Sequence, residues 1–175
     1  MSMVFNIQES NKVKGVYILK PSISEDIRGN IWTSFLKEEV EKLLPDDLYF
    51  KHDKFSESKY NVLRGFHGDN KSWKLVTCVF GEIYQVVADF REGSPTFMKW
   101  EKMVINKSNQ ILILIPPGIG NAYYVSSSKA VYHYKLAYKG EYFDTNNQFT
   151  RSWDNKDLNV DWPVKKPILS SRDSL

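Results

Sequence analysis

Trp73-Lys-Leu-Val-Thr-Cys-Val-Phe80-Gly81-Glu82-Ile-Tyr-Gln-Val-Val-Ala-Asp-Phe90 contains two apolar runs of eight residues, rich in β-branched and aromatic side chains, around a glycine turn. Runs of that length bounded by turn chemistry predict a pair of β-strands. The same signature recurs on both sides, at Val13–Leu19, Gly29–Phe35, Leu48–Lys54 and Tyr60–Phe66, then at Thr96–Ile105, Gln110–Ile115, Asn121–Val125 and Ala130–Tyr138. Arg91-Glu-Gly-Ser-Pro95 and Asn106-Lys-Ser-Asn109 supply turns between them. An all-β sandwich or barrel is therefore expected. Only Leu36–Leu44 has helical spacing, and it stops at Pro45. Residues 1–175 form one expected domain, with a barrel core over about 13–140. The stretch 141–175, richer in Asp, Asn, Trp and Pro, is expected to wrap it as loops and short helical turns.

The 175 residues are enough for a hydrophobic core, and 42% hydrophobic content argues against disorder. A formal charge of +3, without long blocks of like charge, gives no footing for nucleic acid or a membrane surface but is compatible with an anionic substrate. No run approaches a membrane span, the N-terminus lacks a signal-like apolar stretch, and Cys78 is the single cysteine. A cytoplasmic setting without intrachain disulfides is expected.

Ile111-Leu-Ile-Leu-Ile-Pro-Pro-Gly118-Ile-Gly120 resembles a strand entering a dinucleotide-binding turn. The third glycine of that fingerprint would fall at Tyr123, and Pro116-Pro117 cannot donate to a pyrophosphate. A buried strand ending in a tight turn is expected instead.

Histidine is scarce: His52, His67 and His133, none paired at the short spacing of a metal-binding barrel. No metal is expected. His67, between Val62-Leu-Arg-Gly-Phe66 and the polar Asp69-Asn-Lys-Ser72, could serve as a general base near neutral pH, or simply satisfy a loop carbonyl. Arg64 suits a phosphate or a structural ion pair. Lys74 lies in a run apolar on both faces; it is either a buried functional ammonium or a strand-end lysine reaching solvent. Alternation puts Tyr132, Tyr134, Leu136 and Tyr138 on one face, mostly as aromatic core, with room for a phenol acting as an acid on a ligand.

Taken in order, a series of short motifs resembles the dTDP-4-dehydrorhamnose 3,5-epimerase family over about Gly15 to Asp173. They are Asp26-x-Arg28-Gly29, Ser56-x-Ser58, Val62-Leu-Arg-Gly-x-His67, Lys74-Leu-Val, Ser94-Pro-Thr-x-x-x-Trp100, Ile115-Pro-x-Gly118, Tyr134-Lys135, Trp153-x-Asn155, Asp161-Trp-Pro163 and Leu169-Ser-x-x-Asp173. The resemblance implies a cupin-like jelly-roll β-barrel with short peripheral helices and an isomerase that needs no cofactor. It implies His67 as the base and Asp173 as its partner. Tyr134 would be the acid across the sugar, and Lys74 would lie beside the ketone oxygen. It further implies Arg28 and Arg64 in the nucleotide-sugar site, and a homodimer with exchanged N-terminal strands in which Arg28 reaches a neighbouring pocket.

Around the implied pocket the chain departs from the rhamnose enzymes. It has His52-Asp53-Lys54 for Gln-x-Asn, Gly68-Asp69 for an aromatic and a glutamine, Thr33 for a glutamate, and Ile119-Gly120-Asn121-Ala122 for Phe-Ala-His-Gly. This combination most resembles epimerases of bacterial capsular heptose pathways, which act on GDP-linked 4-keto-heptoses at C3 alone or at C3 and C5. His52, Lys54 and Asn121 are then substrate-binding residues, and a small Gly68 would make room for a larger sugar. The alternatives are a dTDP-4-keto-6-deoxyglucose 3,5-epimerase, a non-catalytic sugar-binding jelly roll, and a metal-dependent oxygenase.

Overall fold

The computed structural model describes residues 4–174. The chain starts with β1 (Phe5–Glu9) and β2 (Tyr17–Pro21), followed by a hairpin of β3 (Ile23–Asp26) and β4 (Gly29–Trp32). One helical turn, α1 (Lys37–Val40), runs into a 3-10 turn at Glu41–Leu43. Then come β5 (Phe50–Lys59), β6 (Leu63–Gly68), β7 (Trp73–Phe80) and β8 (Glu82–Asp89). β9 (Trp100–Asn106), β10 (Leu112–Ile115), β11 (Ile119–Val125), β12 (Lys129–Ala137) and β13 (Phe149–Arg151) complete the series. Six strands form one sheet in the order β1-β2-β10-β7-β12-β5, and five form another, β13-β6-β11-β8-β9. The pairings inside both sheets are antiparallel.

Val76, Ile113 and Tyr132 of the first sheet meet Val87, Ile105 and Tyr123 of the second in one buried cluster, so the two sheets face each other across a common core. Their outer faces are covered too. Val40 and Leu44 pack on Leu75, Leu112 and Leu114, while Leu158 and Trp162 of the C-terminal stretch cover Phe66, Val86 and Ala122. Burial on both sides is why Trp73–Phe80 and Leu112–Ile115 read as continuous apolar runs rather than alternating ones.

Several boundaries differ from the sequence expectation. The helix shrinks from Leu36–Leu44 to one turn: Leu36 offers no side-chain cap, and Leu44, ahead of Pro45, is extended at φ −93 and ψ 160. The strand expected over Tyr60–Phe66 begins only at Leu63, because Asn61 takes φ +66 and breaks the extended run. β5 continues to Lys59 through the serines, held residue by residue against β12. The expected strand from Thr96 starts at Trp100. Before it, the Thr96 and Ser94 hydroxyls donate to buried Asp89, which also accepts from Arg91. β1 and β13 lie outside the expected barrel limits of 13–140, and both are recruited by pairing with a neighbouring strand, a long-range contact invisible to local pattern. Pro116 and Gly118 do make the tight turn expected between β10 and β11, with Gly118 at φ +82.

Candidate active site

Strict alternation along β6 would send Arg64 and His67 to opposite faces. The pairing with β11 prevents that: Asn121 faces His67 and Tyr123 faces Arg64, so three steps on β6 match two on β11. This β-bulge turns both side chains into the same cavity between the sheets. The cavity has a volume of about 380 Å³.

His67 Nε2 lies 2.6 Å from Asp173 Oδ1. Asp173 is buried and accepts a second hydrogen bond, from Ser170 Oγ at 2.9 Å to Oδ2. Burial pushes the Asp173 carboxyl up, but the His67 and Ser170 hydrogen bonds, the His67 charge and the Gly65 amide outweigh it and hold it below the usual range. An ionised Asp173 accepts the Nε2 proton, fixing the tautomer that leaves Nδ1 as the basic nitrogen. The carboxylate fits there because residue 65 is glycine: a Cβ at that position would sit 2.7 Å from Oδ1.

The opposite sheet supplies Tyr134 on β12 and Lys74 on β7, both lining the same cavity. Leu136, two residues from Tyr134, is the register partner of Lys74, so one face of the sheet carries all three. Lys74 does not reach bulk solvent as a strand-end lysine; it is 7% exposed. Its Nζ lies 3.6 Å from Asp69 Oδ2. Burial lowers the Lys74 pKa, and Asp69 opposes that fall. Burial pushes the Tyr134 phenol far up, so it is a protonated acid across the neutral range. Tyr132, beside it, is core: its hydroxyl donates to Gln85 Oε1 at 2.7 Å and contacts Asn121 Oδ1 at 3.1 Å.

Asn121 lines the cavity with its carbonyl oxygen also taking Gln85 Nε2 at 2.6 Å. The carboxamide is therefore tied by its oxygen, and its N–H₂ is the end left for a ligand. Arg64 lines the wall while its Nε donates to Ser58 Oγ at 3.1 Å and its Nη2 to the Glu57 carbonyl at 3.5 Å, so one cationic side chain both braces β5 and faces the cavity. Lys54 donates to the Tyr142 hydroxyl at 2.8 Å. Among the described residues the wall carries Lys54, Arg64, Lys74 and Arg172 against the one carboxylate of Asp173, an excess that favours an anionic ligand.

Two expectations, for His52 and Gly68, are corrected by placement. His52 is not on the cavity wall; it stands behind it, edge-on to Tyr142 with ring centres 4.8 Å apart, its Nδ1 3.3 Å from the Tyr138 hydroxyl. Gly68 makes no room for a sugar, because a Cβ there would meet the Phe149 ring at 2.3 Å on the outer face of the sheet. Arg28 lies outside this chain's cavity, exposed at the tip of the β3–β4 hairpin and paired with Asp26. His133, for its part, pairs with Asp53 at 2.7 Å. Among the described residues no three His, Cys, Asp or Glu side chains gather as a metal site, and no helix is long and apolar enough to cross a membrane. Arg172, Tyr142, Gln148 and Asp69 were not singled out as site residues from sequence. The first three come from the C-terminal stretch, where no periodicity signals a wall. A larger groove, about 1090 Å³, runs between the hairpin and the barrel, but it has no histidine and no buried lysine.

A dyad, a buried ammonium and a phenol around a cationic cavity suit proton transfer next to a carbonyl. The family model for dTDP-4-dehydrorhamnose 3,5-epimerase matches residues 10–175. This chain belongs to that family. The epimerase of Shigella flexneri is 33% identical over 171 residues, covering 93% of this chain and 90% of the relative. A Legionella pneumophila dTDP-6-deoxy-D-glucose-3,5-epimerase, solved with dTDP-4-keto-L-rhamnose, superimposes with a TM-score of 0.87. The two are 32% identical, covering 97% of this chain and 90% of that one. The 4-keto-6-deoxy sugar epimerase of the novobiocin gene cluster of Streptomyces spheroides gives 0.87 at 27% identity, over 99% and 85% of the two chains. The fold is thus the cupin-like jelly roll of the 3,5-epimerases. The protein is a nucleotide-sugar epimerase, an isomerase that needs no cofactor.

Proposed function

We propose that this epimerase inverts C3 and C5 of a dTDP-linked 4-keto-6-deoxy sugar, with His67 as base, Tyr134 as acid and Lys74 at the ketone oxygen. The observation that carries this reading is the His67–Asp173 pair on one sheet facing Lys74 and Tyr134 on the other across a single cavity. A carbon beside a ketone is acidic only if the enolate oxygen is stabilised as charge develops, which a desolvated ammonium such as Lys74 does well. His67 Nδ1 removes the proton from one face. The phenol of Tyr134 returns a proton from the other, and the centre is inverted. Arg64, Lys54 and Arg172 are suited to the diphosphate.

The sugar and base follow the relatives, whose names are of dTDP-sugar enzymes. A GDP-linked 4-keto-heptose, inverted at C3 alone or at both carbons, is a second reading. It is favoured by Asn121, an amide donor held in the cavity where the rhamnose enzymes carry a histidine. Incubation in heavy water with each ketone, borodeuteride trapping and NMR of the sugar protons tests both. Loss of the C3 and C5 signals of the dTDP-linked ketone is expected. Exchange of the GDP-heptose alone would move the assignment to the second reading, and exchange of neither would sink both.

A homodimer belongs to the same proposal. Arg28 sits on a hairpin that also exposes Ile27 and Ile31, and it serves a nucleotide only if that hairpin crosses to a neighbouring subunit. Light scattering should give twice the 20.4 kDa chain mass; a monomer at assay concentration would remove Arg28 from the site.

A further inference from the structure

Lys74 sits where an ammonium is hard to keep charged. It is 7% exposed, and from β5 and the C-terminal stretch Lys54 and Arg172 oppose its charge. Its cavity is shared with Arg64 and His67 of β6, Tyr134 of β12 and Asp173, whose two carboxylate oxygens are engaged by His67 and Ser170 rather than by Lys74. The group that offsets its charge is Asp69, in the turn between β6 and β7 and itself 3% exposed. Its placement is tightly determined. Oδ1 accepts from the amides of Lys71 at 2.9 Å and Ser72 at 2.6 Å. The Asp69 carbonyl accepts from the Gly118 amide at 2.8 Å. Oδ2 takes no hydrogen bond and lies 3.6 Å from Lys74 Nζ. One oxygen is thus spent on the turn and the other is aimed at the ammonium.

We propose that Asp69 is a positioning residue that keeps Lys74 protonated and fixed in the cavity, so that the enzyme's alkaline activity limit is set by this pair. Asp69 does not line the cavity and acts only through Lys74. An opposite charge within about 4–6 Å supports the charged form by about 1–3 pK units. Without it, desolvation and the two neighbouring cations act on Lys74 unopposed. The Lys74 titration then moves down toward neutrality. The inference rests on the epimerase reading for its consequence in turnover, but not for the titration itself.

Asp69→Asn is the informative variant, because an amide oxygen still accepts the Lys71 and Ser72 amides while the charge is gone. Competitive acetylation of the folded protein with acetic anhydride across pH, with Lys74 followed by mass spectrometry, reads its titration without any substrate. The expected result is a midpoint lowered by about 1–3 units in the variant. The alkaline limb of kcat should fall by the same interval, KM changing less than kcat, and activity should recover as pH is lowered. If the asparagine variant melts below assay temperature, Asp69→Ser, whose hydroxyl also accepts from an amide, serves instead. A Lys74 midpoint that stays in place in the folded variant overturns the proposal. A lowered midpoint in a protein that exchanges no sugar proton would leave the pairing intact and remove the epimerase reading instead.

Discussion

His67→Asn brings solvent deuterium incorporation into the 4-keto sugar down by about a hundredfold to ten-thousandfold, with the fold unchanged. The size follows from losing a positioned base, for which no neighbour can substitute. Among the titratable side chains on the cavity wall, Lys54, Lys74, Arg64 and Arg172 are cations, Asp173 is depressed and hydrogen-bonded, and the Tyr134 phenol is held protonated. None is a neutral base at pH 7. The fold survives because the His67 side chain is 24% exposed and contributes little to the core, while Asp173 keeps its bonds to Ser170 and the Gly65 amide. NMR exchange rates and a thermal melt of the same sample check both halves. Retention of a tenth of wild-type exchange by a folded variant would mean that another group takes the proton.

Lys74→Met loses twice. Removing a charge aimed at a developing oxyanion lowers kcat about a hundredfold to a thousandfold. It also strands Asp69, buried at 3% exposure with no other cation paired to Oδ2 among the described residues, and breaking a buried pair from one side costs about 3–5 kcal/mol. Urea unfolding measures the second loss. Adding Asp69→Asn should return most of the stability and none of the activity, since the unpaired charge is gone but the ammonium is still absent. Equal unfolding midpoints for the wild type and Lys74→Met would show that the pair contributes nothing to the fold.

Much of this site was legible because its chemistry sits in short motifs. His67, Lys74, Tyr134 and Asp173 were each named from the chain, and all four line one cavity. Position alone misled at His52 and Gly68. One lies on a strand next to the wall yet turns its ring to Tyr142, and the other has its space filled by Phe149, 81 residues further along the chain. Neither contact has a local signal.

The order of apolar runs and turn residues by itself determined an all-β chain, because extended segments with both faces buried need β-branched and aromatic side chains whatever they pair with. It also supplied His67, Lys74, Tyr134 and Asp173 as side chains suited to proton transfer, since that suitability is a matter of residue type. Only the tertiary structure decided which of them meet. The extra residue in β6 against β11 puts Arg64 and His67 on one face, the C-terminal stretch returns to set Asp173 against His67, and Asp69 closes on Lys74 across a turn. Register and long-range closure depend on contacts between segments far apart in the chain, and a pattern with a period of two or three residues holds no information about them.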